Sequence, residues 1–443
     1  MIKRVYKYFI HQYKIIFLFF EKIIYKIKIK FTFSKFQKLI SFKEFEKHCL
    51  ITWMTWSGKS ELMKYLIYYF IYRKKRSSII LCDPHGDVAD EIFNHKYLNH
   101  TEVVYFHPLL FQKWVFGINP FWYELNDNEI EVYAGELALV FEEMIKSKPS
   151  LTLNMKSLLV PCIIVLLKRK NSSLKDLQRF MSDNNEDLVE LGLKSINPSI
   201  SNFFKYHFND PIYSITKQSI NVKIQSLLNS HIFTKITTSN KTINLKELIE
   251  NEKIIIFNLS KWLLWSDVSQ ALWRFIVALS QSIAISRAKQ PKSSRVHTYL
   301  FIDEFTNYTT KSIKAILEES RKYHLHLIIA TQLLWKNIDP ILRETILSNS
   351  NVKIIWANSY SQQLSLSKES WIPKDKLLSL KIWTFYIKSK FIPYFLFKVP
   401  SIFIWDRYKL SISKIKKLHL FQQQKYYFQE DEEIEIKPLF KLE

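Results

Sequence analysis

The segment Ile51-Thr-Trp-Met-Thr-Trp-Ser-Gly-Lys-Ser60 is the most informative part of the chain. Its last three residues match the end of the phosphate-binding loop G-x-x-x-x-G-K-[ST]. In such loops backbone N–H groups surround phosphates, the lysine reaches the β- and γ-phosphates, and the hydroxyl binds Mg²⁺. The apolar residues before it suit a strand, and Glu61 to Arg73 suit a helix. The loop is therefore predicted at a helix N-terminus, where anions bind.

Two positions in this loop depart from the phosphate-binding pattern. Trp53 stands where the first glycine belongs, and Trp56 stands two residues before Gly58. Glycine serves such loops because it adopts positive φ and lets the backbone approach phosphates closely. An indole at either position would occupy space that the phosphates need, so the loop as written is expected to bind nucleotide poorly.

The composition allows a large core and favours a polyanionic partner. The 443 residues are 47% hydrophobic, enough for one large core or two domains. Lysine and arginine outnumber acidic residues by 64 to 41, a formal charge of +23, which favours a polyanion or an anionic membrane surface. An AT-rich genome that inflates lysine is the alternative explanation. Cys49, Cys82 and Cys162 have no C-x-x-C spacing, which fits a reducing compartment without disulfides or a zinc site.

The N-terminal segment is basic and apolar. Residues 1–47 contain twelve basic and three acidic side chains. Their longest uncharged apolar run, Ile15 to Phe20, is far too short to span a bilayer. Lys26 to Phe33 alternates like an edge strand, so we predict a lead-in that carries a strand rather than a membrane anchor.

The pattern changes along the rest of the chain. Strands and helices alternate before and after a stretch with helical periods alone, which indicates a parallel α/β sheet interrupted by an all-α insertion. The C-terminal part ends in an acidic tail. The predicted divisions are 1–47 for the lead-in, 48–125 and 237–400 for the two parts of the P-loop domain, 126–236 for the insertion and 401–443 for the C-terminal extension.

A second motif lies in Thr298-Tyr-Leu-Phe-Ile-Asp-Glu-Phe305. Two carboxylates after an apolar strand are common by chance, but downstream of a P-loop they match a Walker B motif. In that motif Asp303 belongs to the Mg²⁺ shell, and Glu304 activates the attacking water.

Two further polar residues follow the Walker B strand. The strand Leu325 to Ala330 ends at Thr331-Gln332, where the Gln332 side chain can contact a γ-phosphate and the water. Arg321 lies near the end of the preceding helix. It suits either a surface arginine at a helix C-terminus or an arginine finger offered to a neighbouring subunit.

In this order the pieces resemble the HerA/FtsK superfamily of P-loop ATPases, and within it the conjugative DNA-transfer coupling proteins of the TraD/TraG type. The resemblance covers roughly Lys47 to Lys390. A lone G-K-S is weak evidence, whereas five blocks in order are strong. The blocks are Thr55-Trp-Ser-Gly-Lys-Ser60, Asp83-Pro-His-Gly-Asp87, Phe116-Gly-Ile-Asn-Pro120, Leu300-Phe-Ile-Asp-Glu304 and Ser320-Arg-Lys-Tyr-His-Leu-His-Leu-Ile-Ile-Ala-Thr-Gln332.

The resemblance implies an α/β fold: a RecA-like P-loop NTPase sheet with an inserted all-α domain. It also implies ATP and Mg²⁺ as cofactors, a homo-oligomeric ring of six subunits, single-stranded DNA as substrate and a membrane secretion channel as partner. Such proteins usually have a longer N-terminal region with membrane helices, whereas this sequence starts about fifty residues before the P-loop. We therefore expect a cytoplasmic chain, a chain peripheral at the inner face of the membrane, or one truncated at the gene start. The implied site residues are Thr55, Trp56, Ser57, Gly58, Lys59 and Ser60 for nucleotide, Ser60 and Asp303 for Mg²⁺, the latter through water, and Glu304, Arg321 and Gln332 for catalysis.

Two other functions fit the same residues. One is a HerA-like translocase that processes DNA ends. The other is a catalytically inactive DNA-binding scaffold, which applies if Trp53 and Trp56 are genuine.

The glycine and tryptophan contents suggest why the loop departs from its pattern. An ordinary chain of this length carries about 30 glycines, whereas this one has 5 glycines and 12 tryptophans. We hypothesise that many of these tryptophans are UGA codons that the organism reads as glycine, since UGA differs from the glycine codon GGA by one base. The tryptophans at glycine-like positions are Trp53, Trp56, Trp262, Trp265, Trp273, Trp371 and Trp383.

Overall fold

A mostly parallel β-sheet of nine strands forms the centre of the chain in the computed structural model. The structure describes residues 2–54, 57–73, 76–111, 113–122, 125–145, 149–262, 264, 266–305, 311–332, 338–356, 360–401 and 408–429. Two further strands form a separate pair. The strands of both sheets are β1 (Cys49–Thr52), β2 (Ser77–Asp83), β3 (Val103–Phe106), β4 (Trp114–Val115), β5 (Ile254–Asn258), β6 (His297–Ile302), β7 (Leu325–Thr331), β8 (Val352–Ile355), β9 (Thr384–Lys388), β10 (Phe395–Lys398) and β11 (Phe428–Gln429). The separate pair consists of β4 and β11.

The large sheet has the spatial order β10-β9-β8-β1-β7-β6-β2-β5-β3. All neighbours from β3 to β8 pair in parallel, and β9 and β10 complete the sheet as an antiparallel hairpin. Parallel neighbours require long crossover connections, and helices supply most of them. The carboxyl ends of β1, β2, β5, β6 and β7 therefore meet at one edge of the sheet.

Helices cover both faces of this sheet. Alternate residues of one strand point to opposite faces, so Leu50 and Ile80 pack in one core, whereas Ile51 and Ile79 pack in the other. The helices are α1 (Ile2–Leu39), α2 (Lys59–Arg73), α3 (Asp87–Phe93), α4 (Asp127–Ile145), α5 (Pro149–Lys168), α6 (Leu174–Phe180), α7 (Glu186–Leu193), α8 (Pro198–Tyr206), α9 (Ser214–Leu228), α10 (His231–Thr238), α11 (Leu245–Glu250), α12 (Ser266–Ser286), α13 (Lys311–Glu319), α14 (Pro340–Asn349), α15 (Tyr360–Ser370), α16 (Lys374–Leu378) and α17 (Ile412–Tyr426).

The predicted edge strand at residues 26–33 is wrong, because these residues belong to helix α1. The side chains that α1 and the following turn bury are Tyr25, Ile29, Phe33, Phe36 and Ile40. Their spacing of three and four residues is that of one helix face. The lysines between them produced the misleading alternation.

The described residues between β4 and β5 form the helices α4 to α11 and contain no strand. Helix α12 packs against α4, so the helical segment shares one core with a face of the sheet. The domain boundaries at residues 48, 126, 237 and 401 stay predictions. The acidic tail at residues 430–443 lies outside the described residues.

The C-terminal helix α17 packs against the edge strand β3. The Gln422 side chain accepts a hydrogen bond from the Tyr105 N–H at 2.9 Å and donates one to the Val103 carbonyl at 2.9 Å. Beyond α17, β11 pairs with β4.

Within the described residues, one helical segment, residues 266–289, is long and apolar enough to cross a membrane, and 89% of its apolar 18-residue window is buried inside the protein.

Candidate nucleotide site

The carboxyl edge of the sheet brings together the polar residues that follow four of its strands. The P-loop follows β1, a short turn follows β2, Asp303-Glu304 follows β6, and Gln332 follows β7. In open α/β sheets ligands bind at this edge. Thr55 and Trp56, predicted in the nucleotide site, lie outside the described residues.

Lys59 is held between a carboxylate and an indole. Gly58 has φ +91°, which lets the chain turn directly into α2 at Lys59. The Lys59 Nζ lies 2.5 Å from Asp303 Oδ2 and 4.3 Å from the centre of the Trp53 ring. The lysine and aspartate side chains are only 10% and 3% exposed. The predicted P-loop lysine and Walker B aspartate therefore form a nearly buried ion pair.

A second buried carboxylate lies beside Asp303. Asp83, the last residue of β2, accepts hydrogen bonds from the backbone N–H groups of His85 at 3.0 Å and Ala89 at 2.9 Å. Burial raises the pKa of Asp83, and the Asp303 carboxylate raises it further. Asp303 also accepts a hydrogen bond from the Glu304 N–H at 2.8 Å. The edge thus concentrates negative charge close to the P-loop lysine.

Glu304 is held by two basic side chains that the sequence did not identify. Its Oε1 lies 2.7 Å from His85 Nε2, and its Oε2 lies 3.1 Å from Lys261 Nζ. The hydrogen bond with His85 lowers the pKa of Glu304 to about 2, with Lys261 contributing, and the same bond raises the pKa of His85. Glu304 has φ +50°, a backbone conformation that is uncommon for non-glycine residues. Its carboxylate is therefore ionised and oriented at neutral pH.

The turn that carries His85 is fixed from β5. The Ser260 hydroxyl donates to the His85 carbonyl at 2.8 Å. Gly86 has φ +89°, and a β-carbon there would lie 2.6 Å from the Asn258 side-chain oxygen. A larger residue would therefore move the turn. The signal for His85 was its place in the block Asp83-Pro-His-Gly-Asp87, and the signal for Lys261 was its position just after a parallel strand.

Gln332 lies at the same edge as the P-loop. It directly follows β7, whose last residue, Thr331, accepts a hydrogen bond from the Trp53 N–H at 3.2 Å. Because β7 pairs with β1 and the P-loop directly follows β1, Gln332 lies next to the P-loop, as its predicted role requires.

Arg321 is not brought to this edge. It lies exposed in a short 3₁₀ helix, Ser320–Tyr323, before the first residue of β7. Strand β7 has seven residues, so at about 3.3 Å per residue roughly 20 Å of strand separates Arg321 from Gln332. Arg321 therefore lies at the opposite end of β7 from the nucleotide site of its own chain.

Trp383 also lies against the P-loop. Its backbone N–H donates to the Ser57 carbonyl at 2.9 Å. Its indole lies so close to Gly58 that a β-carbon there would be 2.1 Å from Trp383 Cδ1. Two indoles, of Trp53 and Trp383, thus line the loop that should hold phosphates.

A model of one protein family matches this chain. The family is described as "Helicase HerA, central domain" (DUF87), and its model matches residues 33–280, more than half of the chain. This chain belongs to the HerA central-domain family. The predicted resemblance to the HerA/FtsK superfamily is thereby confirmed, and membership makes the HerA-family chain a P-loop ATPase. No curated protein matches it.

Solved structures share the fold of this HerA-family chain. The plasmid coupling protein TrwB in complex with the GTP analogue GDPNP has a TM-score of 0.59 and 15% identity, covering 81% of this chain and 86% of that chain. The complex of TrwB with ADP and Mg²⁺ gives the same values. VirB4 of Thermoanaerobacter pseudethanolicus has a TM-score of 0.51 and 14% identity, covering 80% and 89%. The predicted RecA-like α/β fold class is confirmed.

Proposed function

We propose that this HerA-family chain is an ATP-driven motor that moves DNA, or protein–DNA complexes, toward a secretion channel. The observation that carries the proposal is the convergence of Lys59, Asp303 and Glu304 at the carboxyl edge of the sheet. TrwB, which shares the fold, is named a bacterial conjugative coupling protein. Translocation in DNA-end processing is the alternative task for the same motor.

The residues at this edge fit a magnesium-bound nucleoside triphosphate. Ser60 lies in the first turn of α2, where free backbone N–H groups and the helix dipole favour phosphates. On nucleotide binding, Lys59 would leave Asp303 and contact the β- and γ-phosphates instead. Ser60 would bind Mg²⁺ directly, and Asp303 would bind it through water. When bound, ATP supplies the phosphoanhydride bond whose hydrolysis drives the motor.

Glu304 is the proposed base for the attacking water. A carboxylate with its lowered pKa is fully ionised at neutral pH. His85 and Lys261 keep it at the site edge, and Gln332 is proposed to contact the γ-phosphate and the water.

Arg321 is proposed to act on a neighbouring subunit. Its position at the far end of β7 separates it from its own Lys59, whereas its exposure makes it available to another chain. A ring of six subunits would supply each nucleotide site with a neighbour's arginine, as arginine fingers do in trans. DNA is proposed to pass through this ring, where the charge of +23 favours contact with phosphates.

The protein is proposed to be cytoplasmic and to lie at the inner face of the membrane, and the surface of helix α1 favours this location. The helix has ten basic residues and one acidic residue, and it exposes the rings of Phe17, Phe19, Phe20 and Phe31. Exposed aromatic rings among lysines are typical of helices that lie on anionic bilayers. Vesicles with anionic lipid are expected to bind the chain, and Phe17→Glu with Phe20→Glu should release it. Binding that these changes leave intact would contradict the proposal.

Mixed rings provide the decisive test of the motor. Glu304→Gln and Arg321→Ala should each abolish DNA-stimulated ATP hydrolysis, and Glu304→Gln should still bind ATP. Mixing the two variants pairs an intact Glu304 in one subunit with an intact Arg321 in the next. Part of the turnover should therefore return. Lys322→Ala, which removes the adjacent exposed cation, is the matched control and should keep turnover.

The outcomes separate the candidate functions. No rescue on mixing would contradict an arginine supplied in trans. The indoles of Trp53 and Trp383 beside the P-loop favour a second candidate, a DNA-binding scaffold without turnover. That candidate predicts no ATP hydrolysis even after glycine replaces Trp53, Trp56 and Trp383.

A further inference from the structure

Two tryptophans have a backbone that favours glycine. Trp371 has φ +60° and Trp383 has φ +63°. In this left-handed region a β-carbon crowds the following carbonyl oxygen, so a bulky side chain is an outlier there, whereas glycine adopts it freely. Trp273, by contrast, lies within helix α12 with its indole buried, and its backbone gives no such sign.

Trp371 occupies the position where helices commonly end in glycine. It directly follows the last residue of α15, and its N–H donates to the Ser367 carbonyl at 2.9 Å. That bond and the left-handed φ form an αL cap, in which glycine is the usual residue and proline often follows closely. Pro373 follows two residues later. The indole is 80% exposed, so packing does not explain a tryptophan here.

Trp383 uses its backbone to brace the P-loop. Its N–H donates to the Ser57 carbonyl at 2.9 Å, and its carbonyl accepts from the Val399 N–H at 2.8 Å. These bonds tie the β9–β10 hairpin to the loop without the side chain. The indole, in contrast, crowds Gly58. The main chain of residue 383 therefore holds the P-loop in place, whereas its indole packs partly against the core and crowds Gly58.

We propose that residues 53, 56, 371 and 383 are glycines in the protein as its own cell makes it, each encoded by UGA. The backbone argues for 371 and 383, and the obstruction beside Lys59 and Gly58 argues for 53 and 383. The proposal also moves both unusual counts, 5 glycines and 12 tryptophans, toward ordinary values. Whether these four residues are glycine does not depend on the proposed function. Only the expected gain in nucleotide binding rests on the proposed function. Residue 383 becomes a glycine of the nucleotide site, outside the P-loop motif.

Peptide masses from the protein purified from its own organism test the proposal. Trypsin releases residues 48–59, 369–374 and 382–388, which carry the four positions. Each peptide is expected at the mass with glycine, and the gene is expected to read UGA at each position. Tryptophan masses, or UGG codons at 371 and 383, would overturn it.

Recombinant variants separate this inference from the proposed function. One protein carries tryptophan at 53, 56 and 383, encoded by UGG, and the other carries glycine there. A fluorescent ATP analogue should bind the glycine form tighter by about tenfold or more. Trp371→Gly alone, far from the P-loop in sequence and at a helix end, is the matched control and should leave binding unchanged. Equal binding by the two forms would overturn the inference that tryptophans at these three positions obstruct the nucleotide site. Glycine masses with no binding by either form would overturn the proposed function instead.

Discussion

Replacing Lys59 with methionine tests whether its ion pair with Asp303 holds the nucleotide site together. Both side chains are nearly buried, with 2.5 Å between Nζ and Oδ2. Removing one partner of such a pair leaves the other charge uncompensated, which costs about 3–5 kcal/mol. Loss of the cation over the Trp53 ring adds about 1 kcal/mol, and burial of the methionine side chain offsets about 1–2 kcal/mol. We therefore expect the free energy of unfolding to fall by about 3–4 kcal/mol at neutral pH.

The loss should shrink on acidification. Burial and the Asp303 carboxylate raise the pKa of Asp83 above its ordinary value of 3.8. A carboxyl group whose folded-state pKa is raised destabilises the fold above that pKa, and this destabilisation disappears as the pH falls through it. Without Lys59 the repulsion between Asp83 and Asp303 is no longer compensated. The deficit of Lys59→Met should therefore be largest at neutral pH and smaller as the pH approaches the raised pKa.

Urea unfolding without nucleotide measures these free energies. The matched control is Lys194→Met, because its pair with Glu190 is 70% and 63% exposed and should contribute less than about 1 kcal/mol. Adding Asp303→Asn to Lys59→Met removes the uncompensated charge and should recover most of the loss. A loss below about 1 kcal/mol for Lys59→Met would refute the reasoning. So would a double variant whose loss equals the sum of the single losses.

Two further changes test the site and its flanks. Glu304 raises the pKa of His85 above 6.5, so the ion pair is complete below pH 6.5 and is lost as the pH rises through the raised value. Neutral His85 no longer lowers the proton affinity of Glu304, the proposed base, so kcat should rise over that range. His85→Gln should flatten the rise. An unchanged kcat–pH profile would remove His85 from control of Glu304. Trp371→Gly should raise the free energy of unfolding by about 0.5–1 kcal/mol, since it relieves a left-handed backbone at some cost in chain entropy. Trp262→Gly, equally exposed at 80% but not among the residues of positive φ, should not stabilise the chain, and equal gains from both would contradict the backbone argument.

The sequence predicted the central strands and the position of most candidate site residues at one edge of the sheet, because both follow from local patterns. Apolar runs before Asp83, Asp303 and Gln332 correspond to β2, β6 and β7, and parallel strands place the residues after them at one edge. The same logic cannot pair Glu304 with His85 and Lys261, since these bonds join separate loops and depend on their tertiary arrangement.

The N-terminal segment shows how a local pattern can mislead. Lysines at every second position between residues 26 and 30 imitate a half-buried strand. The longer series of Tyr25, Ile29, Phe33 and Phe36 has the helical period. These side chains pack against α2, and this burial stabilises the helix over more residues than the lysine alternation covers. A window of eight residues was too short to distinguish the two.

The Gln422 side chain occupies hydrogen-bonding groups of β3 with which a tenth strand could otherwise pair. Its amide carries one donor and one acceptor, and both engage the free main-chain edge of β3. An uncovered edge of a parallel sheet is a template for pairing with another molecule and so for aggregation. The Tyr427 hydroxyl, just after α17, also donates to the Tyr105 carbonyl at 2.9 Å. Gln422 and Tyr427 together block growth of the sheet, so a chain that ends before residue 411 should self-associate through β3.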